Sequence, residues 1–157
     1  MKSVIKEVRR VSFNLTPSSL VDFGIAPAMK KISQEVSALT NTEVIFDNKT
    51  NFINRLDKNV ETNLYRIVQE AVNNAIKYAE ADKIVISFEH NPMYLTITVE
   101  DNGKGFEYKK LESTGHFGAS GHGIFNMKER AAFINGALEV QTQLGAGTKI
   151  IIKLPFN

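Results

Sequence analysis

The sequence predicts an α/β sandwich in which helices cover one face of a single mixed, largely antiparallel β-sheet. The first observation is a stretch after Asp57 in which apolar residues recur every three or four positions, a spacing that places them on one face of a helix. The second is a pair of segments, at 83–100 and 137–154, in which apolar and polar residues alternate around a turn, as they do in hairpins that bury one face. Helices interleaved with antiparallel hairpins are typical of a sheet with helices on one side.

The elements at the start of the chain follow from the same spacing. Residues 1–14 carry apolar side chains at the interval of an amphipathic helix, and that helix should end before Pro17. A second helix is predicted over 24–39, with Pro27 near its beginning. A short strand is predicted over 43–47, where the side chains alternate.

The helix that begins at Asp57 has both a core face and a polar edge. Its apolar residues are Val60, Leu64, Ile67, Val68, Ala71, Val72, Ala75, Ile76 and Ala79. Glu70, Asn74 and Lys77 follow one another at helical intervals, so they line up along one edge. A carboxylate, an amide oxygen and an ammonium in one row suit a metal–phosphate site, because magnesium binds through few protein oxygens, water and phosphates. A solvated helix edge with incidental ion pairs would show the same spacing.

A second polar cluster follows the strand predicted over 94–100. Asp101 continues the odd-numbered apolar series that ends at Val99, and strand side chains alternate faces, so its carboxylate should point toward the core. A buried carboxylate needs a hydrogen-bond donor, and the exocyclic amine of a ligand would supply one. Gly103 and Gly105 allow a sharp turn and the close approach of a flat ligand. An ordinary Asp-Asn-Gly turn is the alternative.

Gly121 and Gly123 open the next predicted helix, which runs toward Asn135. A helix start leaves backbone N–H groups free to hold phosphate oxygens, and Arg130 further along could add a cationic contact. The preceding segment, 107–120, is polar and contains several Gly and Ser residues. We predict a lid there, because long loops in compact domains are usually functional. A plain N-terminal helix turn is the alternative for the glycines.

The composition indicates one globular domain. The chain has 157 residues, of which 43% are hydrophobic and 23% charged, which excludes a disordered chain and is enough for an ordinary core. The net charge of +2 gives no reason to expect a nucleic-acid partner. There is no cysteine, so the sequence excludes a disulfide framework and a thiolate metal site. No segment has the roughly 20 apolar residues of a membrane-spanning helix.

Taken in order, three segments resemble the N, G1 and G2 boxes of the GHKL ATPase superfamily, and specifically the catalytic ATP-binding domain of a bacterial two-component sensor histidine kinase. These segments are 64–79, 101–106 and 121–131. The third is similar to the nitrate-sensor (HisKA_3) branch, and the resemblance extends from about residue 40 to the end of the chain. It implies the GHKL, or Bergerat, ATP-binding fold, with ATP and Mg²⁺ as ligands.

The resemblance also implies roles for individual residues. Asn74 would coordinate magnesium, and Glu70 would orient the metal or polarise the reacting groups, so that these two form the catalytic and metal-binding set. Asp101 would accept a hydrogen bond from the amine of adenine. The remaining nucleotide-binding residues would shape the base pocket or approach the phosphates: Lys77, Gly103, Gly105, Gly121, His122, Gly123, Ile124, Arg130 and Thr148.

Residues 1–24 resemble the tail of a dimerisation helix with its linker, and residues 25–157 resemble the catalytic domain. His90, His116 and His122 fall in a predicted turn, in the lid and in the G2 segment, so none of them resembles the phosphoacceptor. We therefore expect a catalytic fragment, a monomer by itself, whose partner is the histidine-containing dimerisation domain of the same homodimeric kinase. A response regulator would act downstream. The fragment would be cytoplasmic, and any membrane anchor would lie upstream.

Two other functions remain open at the level of sequence. One is a different GHKL enzyme, such as a serine kinase that acts on an anti-sigma antagonist. The other is a non-catalytic module in which nucleotide gates the binding of a partner. The resemblance of the first segment to a dimerisation helix argues against the former, and the intact Asn74, Asp101 and glycine pairs argue against a degenerate site.

Overall fold

The computed structural model describes residues 17–107 and 119–156. Within these residues four helices are interleaved with five strands along the chain. In order they are α1 (Ser18–Phe23), α2 (Ile25–Leu39), β1 (Glu43–Asn48), α3 (Lys58–Lys77), β2 (Lys83–His90), β3 (Tyr94–Asp101), α4 (Ala119–Phe133), β4 (Ala137–Thr142) and β5 (Thr148–Pro155).

The five strands form one mixed sheet in the order β1-β2-β3-β5-β4. The β1–β2 pair is parallel and the other three pairs are antiparallel. Buried residues alternate with more exposed ones along β2 and β3, and across the sheet Val99 lies between the buried Ile86 and Ile150. The helices pack on this buried face, because the side chains of one parity on each strand are the apolar ones. The predicted mixed sheet with one covered face is confirmed.

The first described helix, α1, was not expected from the sequence. It follows Pro17 and ends at Gly24, whose φ of +95° separates it from α2. Gly24 can adopt this left-handed backbone because it has no Cβ. The helix predicted over 24–39 is confirmed to within one residue, and Pro27 lies in its first turn, where a missing N–H group costs nothing. The helix predicted over 1–14 lies outside the described residues.

The later elements agree with their predictions except at two ends. Helix α3 ends at Lys77, so Ala79 belongs to the following turn. Helix α4 begins at Ala119, two residues before the predicted start at Gly121. The predicted lid over 107–120 falls largely outside the described residues, and its last two positions belong to α4. Among the residues that are described, no helix combines the length and the apolar character needed to cross a bilayer.

An ion pair ties α1 to the start of α3. Glu61, in the first turn of α3, is buried and accepts hydrogen bonds from Nε and Nη2 of Arg55 at 3.2 and 3.1 Å. The same guanidinium donates to the carbonyl groups of Val21 and Asp22. The last carbonyl groups of a helix have no partner within it, so Arg55 caps α1 while it satisfies the buried carboxylate. Helix α3 is thereby held in place at its N-terminal end.

Candidate functional site

A cavity of about 210 Å³ opens between α3, α4 and the adjoining ends of β3 and β5. It joins residues from segments that are far apart in the sequence. Its lining consists of Ala71, Asn74, Ala75, Tyr78, Ala79, Val99, Asp101, Lys104, Gly105, Phe106, Ile124, Met127, Thr148 and Ile150. The walls are mostly apolar, and a few polar groups face the space between them. This combination is typical of a small-molecule site.

Asp101 supplies the carboxylate of this cavity. It is the last residue of β3 and pairs with Thr148 on β5, which places it at the sheet end beneath α3 and α4. Its Oδ1 accepts a hydrogen bond from the N–H group of Gly103 at 2.8 Å, and the backbone of Thr148 contributes another. Partial burial nevertheless raises the pKa of Asp101, because desolvation outweighs these two bonds. The half-buried carboxylate could therefore accept a further hydrogen bond from a ligand.

The raised pKa of Asp101 predicts a pH-dependent difference in stability between the wild type and Asp101→Asn. A carboxyl group whose pKa is higher in the folded state favours folding below its unfolded pKa, and this contribution is lost as the pH rises through the folded pKa. Asparagine does not titrate. We expect the free energy of unfolding of the wild type, relative to that of Asp101→Asn, to fall as the pH rises from the unfolded pKa of about 3.9 through the higher pKa of the folded state. Urea titrations at several pH values measure it, and a pH-independent difference would contradict the assignment.

The loop after Asp101 is held by backbone hydrogen bonds. Asn102 Oδ1 accepts hydrogen bonds from the N–H groups of Asp82 and Lys83 at 2.9 and 3.0 Å, and the N–H of Lys104 donates to the carbonyl of Ala79 at 2.9 Å. A Cβ at Gly103 would collide with Ala79. Gly103 must therefore be small because the loop packs closely on the turn after α3.

Two glycines at this end of the sheet have left-handed backbone, and the first of them lines the cavity. Gly105 has φ +64° and Gly147 has φ +77°. A Cβ at Gly147 would collide with the carbonyl oxygen of Asp101, and one at Gly105 with that of Gln143. Gly147 was not predicted as a site residue, although its place in the β4–β5 turn was. Nothing in the sequence indicates that this turn reaches back to the end of β3.

Thr148 belongs to a hydroxyl network at the same end of the sheet. Its Oγ1 lies 2.9 Å from Oγ1 of Thr142, and that hydroxyl accepts a hydrogen bond from the N–H of Phe106 at 3.1 Å. The loop that carries Gly105 is thereby tied to the β4–β5 hairpin. Thr148 and Gly105 both line the cavity, as the sequence predicted for residues of one site.

Glu70 and Asn74 lie together on α3, opposite Gly123 of α4. A Cβ at Gly123 would collide with Oε1 of Glu70 and would stand 2.9 Å from Nδ2 of Asn74. Gly123 is buried, so its missing side chain is what allows both polar groups to occupy the space between the two helices. Asn74 turns its Nδ2 toward Gly123, and its Oδ1 and the Glu70 carboxylate are oxygen atoms of the kind that magnesium binds together with phosphates. Elsewhere in the described part of the chain, no group of three or more His, Cys, Asp or Glu side chains could hold a metal.

The start of α4 at Ala119 changes the expected role of Gly123. Gly121 lies in the first turn of this helix, where the backbone N–H groups have no partners within the helix. Gly123 lies after that turn and packs closely against α3. The surroundings of Gly121 and His122 lie outside what the structure describes.

Of the remaining predicted residues, one lines the cavity and two do not. Ile124 lines it. Lys77 is exposed at the end of α3 and is not among the lining residues. Arg130 is exposed and donates from Nη1 to Oδ1 of Asn63 at 3.2 Å, and with Glu70 it lines a second cavity further along the two helices.

The sequence analysis missed several lining residues. Ala71, Ala75 and Ala79 were assigned to the core face of α3, but they line the cavity beside Asn74. Their small side chains at intervals of four residues leave the room that a flat ligand needs. Among the larger apolar residues, Phe106, Met127 and Ile150 also face it, and no sequence signal distinguishes them from ordinary core residues.

Comparisons with known proteins give a family and several structures of similar fold. The family described as "Histidine kinase-, DNA gyrase B-, and HSP90-like ATPase" matches residues 59–157. The histidine kinase domain of the Erythrobacter litoralis EL346 blue-light activated histidine kinase has a similar structure, with a TM-score of 0.68 and 16% identity over 83% of this chain. The ATP binding domain of PrrB from Mycobacterium tuberculosis has a TM-score of 0.65 and 17% identity over 85% of this chain.

These similar structures differ in length. The chain spans 94% of the PrrB domain, but 60% of the Erythrobacter litoralis kinase domain and 41% of a longer form of the same kinase. At these identities the likeness shows a shared fold. The match of the family to residues 59–157 covers more than half of the chain, and includes every residue that the sequence analysis assigned to the site.

Proposed function

Because the chain belongs to the family of histidine kinase-, DNA gyrase B- and HSP90-like ATPases, we propose that it is the ATP-binding catalytic domain of a sensor histidine kinase. The observation that carries the proposal is one arrangement of polar groups. Asp101 lies in the cavity, and Glu70 and Asn74 meet at Gly123 beside it. In this proposal Asp101 is the acceptor for the base, and Glu70 and Asn74 would hold the metal and the phosphates.

The cavity fits the base of ATP better than the whole nucleotide. Its volume of about 210 Å³ is below the roughly 300–1,000 Å³ of pockets that enclose an entire drug-sized ligand. The adenine ring would lie among the alanines of α3, Val99 and Ile150, with its exocyclic amine donating to Asp101. The ribose and phosphates would then extend along α3 toward Asn74.

Asn74 and Glu70 would hold Mg²⁺ together with the phosphates of ATP. When bound, the ion neutralises charge on the phosphates. Phosphoryl transfer depends mainly on such charge neutralisation and on positioning. Lys77 and the N–H of Gly121 are the neighbouring donors that would support the phosphate oxygens. Glu70 would orient the ion and polarise the reacting groups.

The acceptor in this proposal is a histidine on a dimerisation domain. The bond between the γ-phosphorus and the bridging oxygen of ADP would break, a phosphorus–nitrogen bond to the imidazole would form, and the imidazole would release its proton. A response regulator would then receive the phosphoryl group. We place the parent protein in the nitrate-sensor branch, as a homodimer whose catalytic part is cytoplasmic, on the similarity of the G2 segment and of residues 1–24 to that branch.

The first test is calorimetric titration of the chain with ATP and with GTP, both with magnesium. Guanine has a carbonyl group where adenine has its amine, so it offers no donor to Asp101. We expect ATP to bind with a Kd between about 1 μM and 1 mM, and GTP to bind at least about 10-fold more weakly, because a mismatched acceptor leaves a buried polar group unpaired. Equal binding of the two nucleotides would contradict the base assignment.

The second test is transfer from labelled ATP to a supplied histidine-containing dimerisation domain of the nitrate-sensor branch. We expect the acceptor histidine to be labelled and the chain alone to remain unlabelled. Binding of ATP without labelling of such a domain would favour a module in which nucleotide only gates the binding of a partner.

A further inference from the structure

A second cavity of about 280 Å³ lies in the same groove between α3 and α4, beyond Glu70. Its lining is mainly polar and consists of Arg66, Gln69, Glu70, Asn126, Met127 and Arg130. Met127 lines both cavities, so the two are adjacent. The proposed function uses Glu70 at the border but assigns no role to the other polar side chains.

Gln69 is the least satisfied group of this second cavity. The residue is only 6% exposed. Its Oε1 accepts a hydrogen bond from Nη1 of Arg66 at 3.0 Å, whereas its buried Nε2 has no hydrogen-bond partner among the described residues. Rotation of the amide would set its NH₂ group against the guanidinium, donor against donor, so the contact with Arg66 fixes the orientation. A buried amide donor without an acceptor is costly, which indicates a group that a ligand satisfies.

The charges around this cavity favour an anion. Arg66 on α3 and Arg130 on α4 lie on opposite helices and contribute two guanidinium groups to its lining, and among the described lining residues Glu70 is the one carboxylate. The bond from Arg130 to Asn63 holds the second guanidinium beside α3. Guanidinium and amide N–H groups together match the oxygens of a phosphate or a carboxylate.

We propose that this second cavity binds an oxyanion at the reacting end of the nucleotide site, with Gln69 and Arg130 as its donors and Arg66 as the residue that orients Gln69. The inference rests on the proposed function, because its ligand would be the terminal phosphate of ATP or a carboxylate on the protein that accepts the phosphoryl group. Both present oxygens to the same donors. Both could reach the second cavity from the nucleotide cavity, because Met127 lines both.

The test compares two variants with a matched control. Gln69→Glu keeps the shape of the side chain and its acceptor for Arg66, but replaces the unpaired donor by a carboxylate oxygen. Arg130→Gln removes the exposed cation without disturbing the core. Lys30→Gln on α2 removes one positive charge from an exposed residue that lines neither cavity. Thermal unfolding of all four proteins shows whether each variant is folded.

Two measurements distinguish the two sources of the oxyanion. One is the affinity for ATP and for ADP by calorimetry, and the other is the KM for a supplied dimerisation domain. If the terminal phosphate is bound, both variants lower the affinity for ATP by about 10-fold, because charge-assisted hydrogen bonds are lost. The affinity for ADP then changes by less than about 2-fold. If a carboxylate of the acceptor protein is bound, nucleotide affinities stay as in the wild type and the KM for that domain rises by about 10-fold.

The proposal is overturned if Gln69→Glu and Arg130→Gln are folded but behave like the control Lys30→Gln. This means the same ratio of ATP affinity to ADP affinity and the same KM for the dimerisation domain. Failure of the function itself has a different signature. In that case the wild-type chain binds neither ATP nor ADP, and the comparison among variants does not arise.

Discussion

Asp101→Asn is expected to weaken ATP binding by about 10- to 100-fold, because a hydrogen bond to a charged group contributes about 1.5–3 kcal/mol. The N–H of Gly103 already donates to Oδ1 of Asp101 at 2.8 Å. The oxygen of an asparagine would turn toward that donor, and its NH₂ group would face the amine of adenine. The variant therefore replaces an attraction by a contact between two donors while the volume of the side chain stays the same.

Glu100→Gln is the matched control for Asp101→Asn. Glu100 precedes Asp101 on β3 and is exposed on the opposite side of the strand, so the control removes the same charge without touching the cavity. Calorimetric titration of the three proteins with ATP and magnesium measures the effect. Similar ATP affinities for Asp101→Asn and Glu100→Gln would show that Asp101 is not the base acceptor and that its burial has another cause.

The sheet and its order of elements could be predicted because every second side chain of each strand is buried. The alternation in β2, β3 and β5 gives these strands to within a residue or two, and the helical spacing gives α3. Helix α1 could not be predicted in this way, since six residues are too few for a period to emerge. Its carbonyl groups are satisfied by Arg55, a partner more than 30 positions away.

The polar residues of the candidate site could be predicted better than its walls. Side chains on the buried side of a strand are normally apolar. The carboxylate of Asp101 lies on that side, so it stands out in the sequence. Ala71 and Met127 obey the ordinary rule for core residues, and their position at the cavity depends on how α3 packs against α4. The contact of Gly147 with the end of β3 likewise depends on the tertiary packing of two hairpins, which no local pattern encodes.

Gly123→Ala is expected to weaken binding of ATP with magnesium by about 10-fold or more while the protein stays folded, because misplacing one ligand group costs several hydrogen bonds to charged oxygens. The added Cβ would meet Oε1 of Glu70 and Nδ2 of Asn74. Both atoms are at the ends of flexible side chains, so they can move aside without a shift of the backbone. In the helix itself alanine is preferred over glycine by up to about 1 kcal/mol.

The same substitution separates the metal–phosphate end of the site from the base end. Adenosine lacks phosphates, so its affinity should change by less than about 2-fold in Gly123→Ala if the base pocket is intact. Glu129→Ala is the control for α4, since Glu129 is exposed and lines neither cavity. An equal loss of adenosine and ATP affinity would mean that the change in α4 closes the whole cleft. Unchanged ATP affinity would mean that Glu70 and Asn74 do not hold the metal and phosphates.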